Sequence, residues 1–279
     1  MTTATGGHAP HTIFFVSCST GITAETLGHS LMSQFEGIAY QQVTLPFIDT
    51  LEKMEPVVAQ INRTAGTDGR RPVVFCTLAD PKIRRSLERA DCEVFDFFDA
   101  FIEPLELEFQ RESTHTVGRS HGMANYERYM GRIDAINYAL ANDDRVRADH
   151  CEHADTVLIG LSRTGKTPVC LYLALQHRVR AANLTLTDAT LESRSLPAEL
   201  LPYRDKLQGV TIRPERLHQI RSARLPQSDY ASLENCIAMT QAAEALFEAE
   251  GIPYIDITQM SIEEQASFLY HSTGMPHRD

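Results

Sequence analysis

The chain has 279 residues, with 37 acidic against 26 basic side chains and a net charge of −11 at neutral pH. A surface that acidic is expected to repel nucleic acid and anionic membrane, and no apolar run approaches the ~18 residues that cross a bilayer. Hydrophobic residues make up 43%, enough to fill the core of one large domain or two of ordinary size. The six cysteines form no C-x-x-C pair, so neither a zinc site nor a disulfide framework is expected, and a reducing cytoplasm is the natural setting.

Met1 to Pro10 has neither a basic n-region nor an apolar h-region and reads as a disordered lead-in, not a signal peptide. His11 to Ser17 reads as a first strand. It runs into Cys18-Ser19-Thr20-Gly21 and a helix from about Thr23 to Phe35. Tyr40 to Pro46 is a second strand and Leu51 to Thr64 a helix; Arg71 to Thr77 is a third strand, followed by a helix over Pro81 to Ala90. Val94 to Phe98 reads equally as a fourth strand or the start of a helix. Strands and helices alternating at this spacing predict an α/β domain with a largely parallel sheet.

Residues 110 to 150 are polar and helix-prone, with Tyr126, Tyr129, Ile133, Ile136, Tyr138 and Leu140 as an apolar stripe. The stretch from Asn142 to His153 is charged and poor in large apolar residues, so the domain boundary is expected there, dividing the chain into 1–148 and 149–279. Its His150-Cys151-Glu152-His153 run holds metal-ligand types, but one short loop rarely closes a site. Beyond it come strands at Thr156–Ile159, Ala182–Thr187 and Ile252–Thr258, with Val210-Thr211-Ile212 a short apolar run between the last two. Helices are expected over Pro214–Ala223 and Ala231–Glu250, and a final one opens at Ser261-Ile262-Glu263-Glu264, a capping box.

Gly160-Leu161-Ser162-Arg163-Thr164-Gly165-Lys166-Thr167 spells G-x-x-x-x-G-K-T, the P-loop pattern. An apolar strand precedes it and an apolar helix follows, with Pro168 tolerable in the first turn. All eight residues are candidates for a phosphate cradle built from backbone N–H groups and the positive end of the helix. Lys166 would reach the terminal phosphates, Thr167 would hold Mg²⁺ through its hydroxyl, and Arg163 within the loop is placed to touch phosphate or acceptor.

Arg213, Arg216, Arg221 and Arg224 punctuate one helical segment. Arg221 and Arg224 are candidates for a catalytic phosphate clamp, and a solvated basic face is the equal alternative. The loop Ser17 to Gly21 could hold a second phosphate, although a capped glycine turn explains it as well. His121 and the pair Asp143-Asp144 are weak candidates for a base or metal role, and Asp188 and Asp256 sit at strand ends where they could assist Mg²⁺ or cap a helix.

Together these segments resemble one family over about His11 to Leu269: the bifunctional regulatory proteins of phosphoenolpyruvate synthetase, related to the pyruvate, phosphate dikinase regulatory proteins. The resemblance is carried by Gly21 to His29, Met32 to Phe35, Arg132 to Ile136, Gly160 to Pro168, Gly209 to Leu217, Ile255 to Thr258 and Ser261 to Glu264. Cys18, the run Asn142 to Arg145, and Met239 depart from that pattern, in which an aspartate, His-Asp-Asp-Gly and a glutamate are usual. The resemblance implies an N-terminal α/β domain and a C-terminal P-loop, kinase-like domain. It implies ADP-dependent phosphorylation of a threonine of phosphoenolpyruvate synthetase, and removal of that phosphoryl by inorganic phosphate with release of pyrophosphate. ADP, phosphate and Mg²⁺ are then the small-molecule requirements, the nucleotide falls on Gly160 to Thr167, and a homodimer is left open. An ATP-dependent kinase of a small metabolite and a nucleotide-sensing binding protein are the competing readings of the same loop.

Overall fold

The computed structural model describes residues 10–114, 126–144, 151–273 and 275. The chain divides into two compact units, Met1–Ala124 and Asn125–Asp279.

The first unit is a four-stranded parallel sheet in the order β2-β1-β3-β4, formed by β1 (His11–Ser17), β2 (Tyr40–Leu45), β3 (Val73–Thr77) and β4 (Glu93–Asp96). The helices are α1 (Ile22–Met32), α2 (Leu51–Asp68), α3 (Pro81–Arg85) and α4 (Phe97–Phe109). Alternation along the strands sends Phe14, Val16, Val74 and Cys76 to one face, where they meet Met54, Val57 and Ile61 of α2 and Ile83 of α3. Ile13, Phe15 and Phe75 point to the other face, against Ala24 of α1 and Phe97 of α4. The segment Val94 to Phe98, ambiguous in sequence, is both things: Asp96 ends β4 and its carboxylate caps α4 through the amides of Phe98 and Asp99.

The second unit repeats the same order, β6-β5-β7-β8, again all parallel, with β5 (Thr156–Gly160), β6 (Ala181–Thr185), β7 (Leu207–Thr211) and β8 (Tyr254–Asp256). Around it lie α5 (Tyr126–Ala141), α6 (Lys166–His177), α7 (Asp188–Ser193), α8 (Pro214–Arg224), α9 (Leu233–Glu250) and α10 (Ile262–Ser272). One continuous core runs through this unit, from Ala135 and Ala139 of α5 through β5 and α6 to Leu269 of α10. The capping box at Ser261 and Glu264 is formed as the sequence predicts.

Helix α5 is the point of difference from the expected division after residue 148. It packs on α6 and β6, so it belongs with the P-loop unit, and the division falls ahead of it. The buried residues of α5 are Ala135 and Ala139, with Ile136 and Tyr138 packed beside them, whereas Tyr129 and Leu140 of the apolar stripe read in the sequence are exposed. Among the described residues no helix is long and apolar enough to cross a membrane.

Candidate functional site

In both units the first strand has its sequence successor on one side and the third strand on the other. The crevice between these neighbours, at the carboxyl ends of the strands, is where open α/β sheets bind ligands. In the second unit that position is taken by the loop 160–167. Gly160 ends a fully buried strand, and a Cβ there would sit 2.4 Å from the carbonyl oxygen of Val210 on β7. Only glycine lets the two strands approach as the loop begins. Gly165 caps α6 in the left-handed region (φ 77°, ψ 10°), turning the chain sharply into the helix. Arg163 shares that region at φ 76°, a conformation a non-glycine residue adopts only when its surroundings hold it there.

The loop is stapled internally. Thr164 donates its hydroxyl to the Leu161 carbonyl at 2.9 Å, and Lys166 Nζ donates to the carbonyls of Leu161 (2.8 Å) and Gly160 (3.2 Å). An ammonium has three donors, so two hold the loop and one remains for a ligand oxygen. The first backbone bond into the helix runs from Val169 to Gly165, so the amides of Lys166 and Thr167 precede it, in the first turn where helix amides lack an intrahelical acceptor and can take an anion. Lys166 is 5% exposed. Burial pushes its pKa down to about 8, the Arg221 guanidinium adds to the lowering, and the carboxylates of Asp144 and Asp143 oppose it.

Those two carboxylates are the main finding that the sequence left weak. Asp143 forms an isolated parallel bridge with Asn183 of β6, which brings the chain after α5 alongside the sheet edge. There Asp143 Oδ1 accepts from the Thr167 hydroxyl at 2.6 Å and from the Asn183 amide at 2.8 Å, and Asp144 Oδ1 accepts from the Thr185 hydroxyl at 2.6 Å. The threonine expected to hold a metal ion is therefore already beside a carboxylate. Hydroxyl and carboxylate oxygens are hard donors of the kind Mg²⁺ takes, so the pair fits such an ion.

Of the predicted arginines, Arg163 is exposed in the loop itself. Arg221 is fully buried and reaches the loop from behind, donating through Nη2 to the Ser162 carbonyl at 3.4 Å. Arg224 lies exposed at the end of α8 and makes no contact with the loop among the described residues, so the structure brings one of the proposed pair to the site and not the other. Arg213 and Arg216 are exposed at the start of the same helix. Asp256 is used locally, accepting from the Thr258 amide and hydroxyl, and Asp188 is exposed at the start of α7, whose cap is Thr187.

In the first unit, Gly21 caps α1 at φ 86°. The Ser17 hydroxyl there is turned inward, accepting from Ser19 N at 3.1 Å and Thr77 Oγ1 at 3.0 Å, which is the turn-and-cap alternative. His121 and His150 lie outside the described residues; Cys151 is buried, and no metal-holding group of three His, Cys, Asp or Glu side chains occurs among the described residues.

A family model described as kinase/pyrophosphorylase matches residues 13–269. The chain belongs to this family. The match runs from β1 to α10, so both units are part of the kinase/pyrophosphorylase architecture and the loop lies inside it. A relative from Alkalilimnicola ehrlichii is 49% identical over 270 residues, covering 97% of this chain and 98% of its own. One from Laribacter hongkongensis is 47% identical over 272 residues (96% and 99%), and one from Halorhodospira halophila 50% identical over 267 (95% and 97%). All three carry the name of a phosphoenolpyruvate synthase regulatory protein. Membership makes the chain a phosphotransferase of the kinase/pyrophosphorylase type, as the resemblance drawn from the loop and its flanking segments leads one to expect.

Proposed function

We propose that the chain is an ADP-dependent threonine kinase and phosphate-dependent phosphorylase acting on phosphoenolpyruvate synthase. The observation that carries this reading is a loop in which Lys166 is folded onto the loop carbonyls while Thr167 beside it donates to Asp143, whose chain neighbour Asp144 accepts from Thr185. The names of the relatives supply the partner.

In the forward direction the diphosphate lies along the loop, with the amides of Lys166 and Thr167 and the Lys166 ammonium on its oxygens. The partner's threonine oxygen attacks the β-phosphorus, the bond to the α-phosphate oxygen breaks, and AMP leaves. The hydroxyl proton passes to a carboxylate, and Asp144, exposed beside the loop, is the group we assign. In the reverse direction an oxygen of inorganic phosphate attacks the phosphothreonine phosphorus from the position AMP vacated. The threonine oxygen leaves, recovers its proton, and pyrophosphate is released. The αβ diphosphate of ADP is a substituted pyrophosphate, so one cradle serves both reactions. Catalysis is then positioning and charge stabilisation. Thr167 and Asp143 would hold Mg²⁺, which when bound neutralises charge on the phosphate oxygens.

The test is purified protein with ADP and phosphoenolpyruvate synthase, read by mass spectrometry for partner phosphothreonine and by AMP release. Phosphothreonine formed from ADP supports the reading. ATP turnover on a small metabolite, or ADP binding without AMP release in the presence of the partner, overturns it.

A further inference from the structure

The loop owes its shape to more than its own residues. Ser162, the residue before the left-handed Arg163, is held at both its polar groups. Its carbonyl accepts from Arg221 Nη2 at 3.4 Å, and its side-chain oxygen accepts from the Tyr230 hydroxyl at 3.1 Å. The two holders are joined to each other. The Arg221 guanidinium lies over the Tyr230 ring at 4.1 Å, and its Nη1 donates to the Tyr230 carbonyl at 3.1 Å and to Met239 Sδ at 3.3 Å. Tyr230 is itself fixed. The short turn Asp229–Ala231 is tied to α8 by His218 Nδ1 against the Ala231 carbonyl at 2.6 Å, and its next residue, Ser232, caps α9.

Arg221 is fully buried, its Nε has no hydrogen-bond partner, and no carboxylate pairs with it among the described residues. A buried cation is normally paired. Here its charge is met by two carbonyls, a sulfur and the face of a ring, all of them neutral, which leaves a net positive field behind the loop. A left-handed non-glycine residue persists only where neighbours over-determine it. The Ser162 clamp supplies that constraint at Arg163.

We infer that Tyr230 is a positioning residue for the phosphate loop: together with Arg221 it pins Ser162, and so keeps the amides of residues 161–165 spread for a phosphate before any ligand arrives. Tyr230 does not touch the reacting atoms; it acts through Ser162. The inference rests on the reading of this loop as the diphosphate site, and it adds a residue outside the P-loop pattern to that site.

Tyr230→Phe removes the hydroxyl and keeps the ring under Arg221. One neutral hydrogen bond, worth about 1 kcal/mol net, corresponds to roughly a fivefold change in affinity. ADP and inorganic phosphate, titrated separately by calorimetry, should each bind about fivefold more weakly to the variant. Backbone amide relaxation by NMR in the ligand-free protein should show added motion over residues 161–165 and none in α9. The melting temperature should fall by no more than the roughly 2–4 °C that one such bond is worth, and a merely structural role would give that fall with binding by the folded molecules intact. In a Ser162→Ala background the same substitution should add little, because both changes delete one contact. Unchanged loop relaxation in Tyr230→Phe, or additive effects of the two substitutions, would overturn the inference. If the wild-type protein bound no ADP, the donor assignment would fall, and the relaxation measurement on the ligand-free protein would still decide the role of Tyr230.

Discussion

The two units share a strand order and a loop, and they differ in what stands on it. After β1 the chain reads Thr20-Gly21-Ile22-Thr23; after β5 it reads Thr164-Gly165-Lys166-Thr167. Both glycines are left-handed helix caps, at φ 86° and 77°. Past the glycine the units diverge. Ile22 is 57% exposed and makes no core, while Lys166 is 5% exposed and folds back on the loop carbonyls. The first unit turns its Ser17 hydroxyl inward to Thr77; the second receives Asp143 and Asp144 from the chain that follows α5. A parallel sheet with a glycine turn is thus a common scaffold. On the proposed reading, a buried cation and an acid pair are what make one copy of it the phosphate site.

The sharpest way to break that contrast is to remove the cation. Lys166→Ala should slow transfer in both directions alike, since both stabilise charge on the same phosphoryl group. By analogy with a lost oxyanion-hole donor the cost is about 2.7–4 kcal/mol, or roughly 10²–10³ in rate. Forward rates come from AMP release and reverse rates from pyrophosphate release, with circular dichroism to check the fold. A variant that kept its phosphorylase rate while losing kinase activity would mean two pockets.

The borrowed acids come next. Asp143→Asn keeps the size and an acceptor for Thr167 but removes the charge. The side chain bonds the Thr167 hydroxyl and is itself one of the two groups assigned to Mg²⁺, so the loss is at least the roughly 10–100-fold typical of groups that support a metal ligand. The expected result is that loss in kcat at fixed Mg²⁺, partly recovered by raising Mg²⁺, with ADP affinity in the absence of metal little changed. Equal activity of variant and wild type would show that the acid pair only ties the chain to β6.

Which parts of this could be read from the sequence follows from the range of the contacts. The loop could be, because its glycines, lysine and threonine act on each other within eight residues. Asp143 was legible only as a weak candidate, because its meeting with Thr167 depends on the bridge to Asn183, and nothing local announces a parallel pairing across that distance. Arg221 was visible as an arginine, but spacing grouped it with Arg224. Its actual neighbour in orientation is Leu217, one helical turn back and also fully buried, so Arg221 points into the fold and Arg224 away from it. Tyr230 carries no motif, because it is brought to Ser162 by the turn after α8.

Acidity offers a finer test of the same lysine. Its pKa is lowered from 10.5 to about 8, chiefly by burial. Between about 8 and 10.5 the folded state therefore binds fewer protons than the unfolded chain. The cost of the buried charge is felt below that window, and this contribution to stability improves as pH rises through it. Ligand binding runs the other way. A diphosphate needs the ammonium, so its affinity should be flat below pH 8 and fall by up to tenfold per unit above it. Binding above pH 8 should take up a proton, seen by calorimetry in two buffers of different ionisation heat, and Lys166→Arg should flatten the profile. An affinity independent of pH from 7 to 9.5 would mean that the lysine is charged throughout or does not touch the ligand.

The smallest expected effect tests whether the lysine alone separates the two units. Ile22→Lys would give the first unit the sequence Thr-Gly-Lys-Thr at the corresponding turn. Ile22 is the first residue of α1, where a positive side chain opposes the helix dipole, so a stability loss of about 0.3–1 kcal/mol is expected. No diphosphate site should appear. Glu25, the acid nearby, already accepts from Thr44 and from Gln42, and the Ser17 hydroxyl stays turned to Thr77. Combined with Lys166→Ala, which silences the second unit, the variant should therefore bind pyrophosphate no better than Lys166→Ala alone in a direct titration. A new binding event of one pyrophosphate per chain in the double variant would show that the glycine turn lacked only a cation. The acid pair at 143–144 would then be a refinement of the site and not a condition for it.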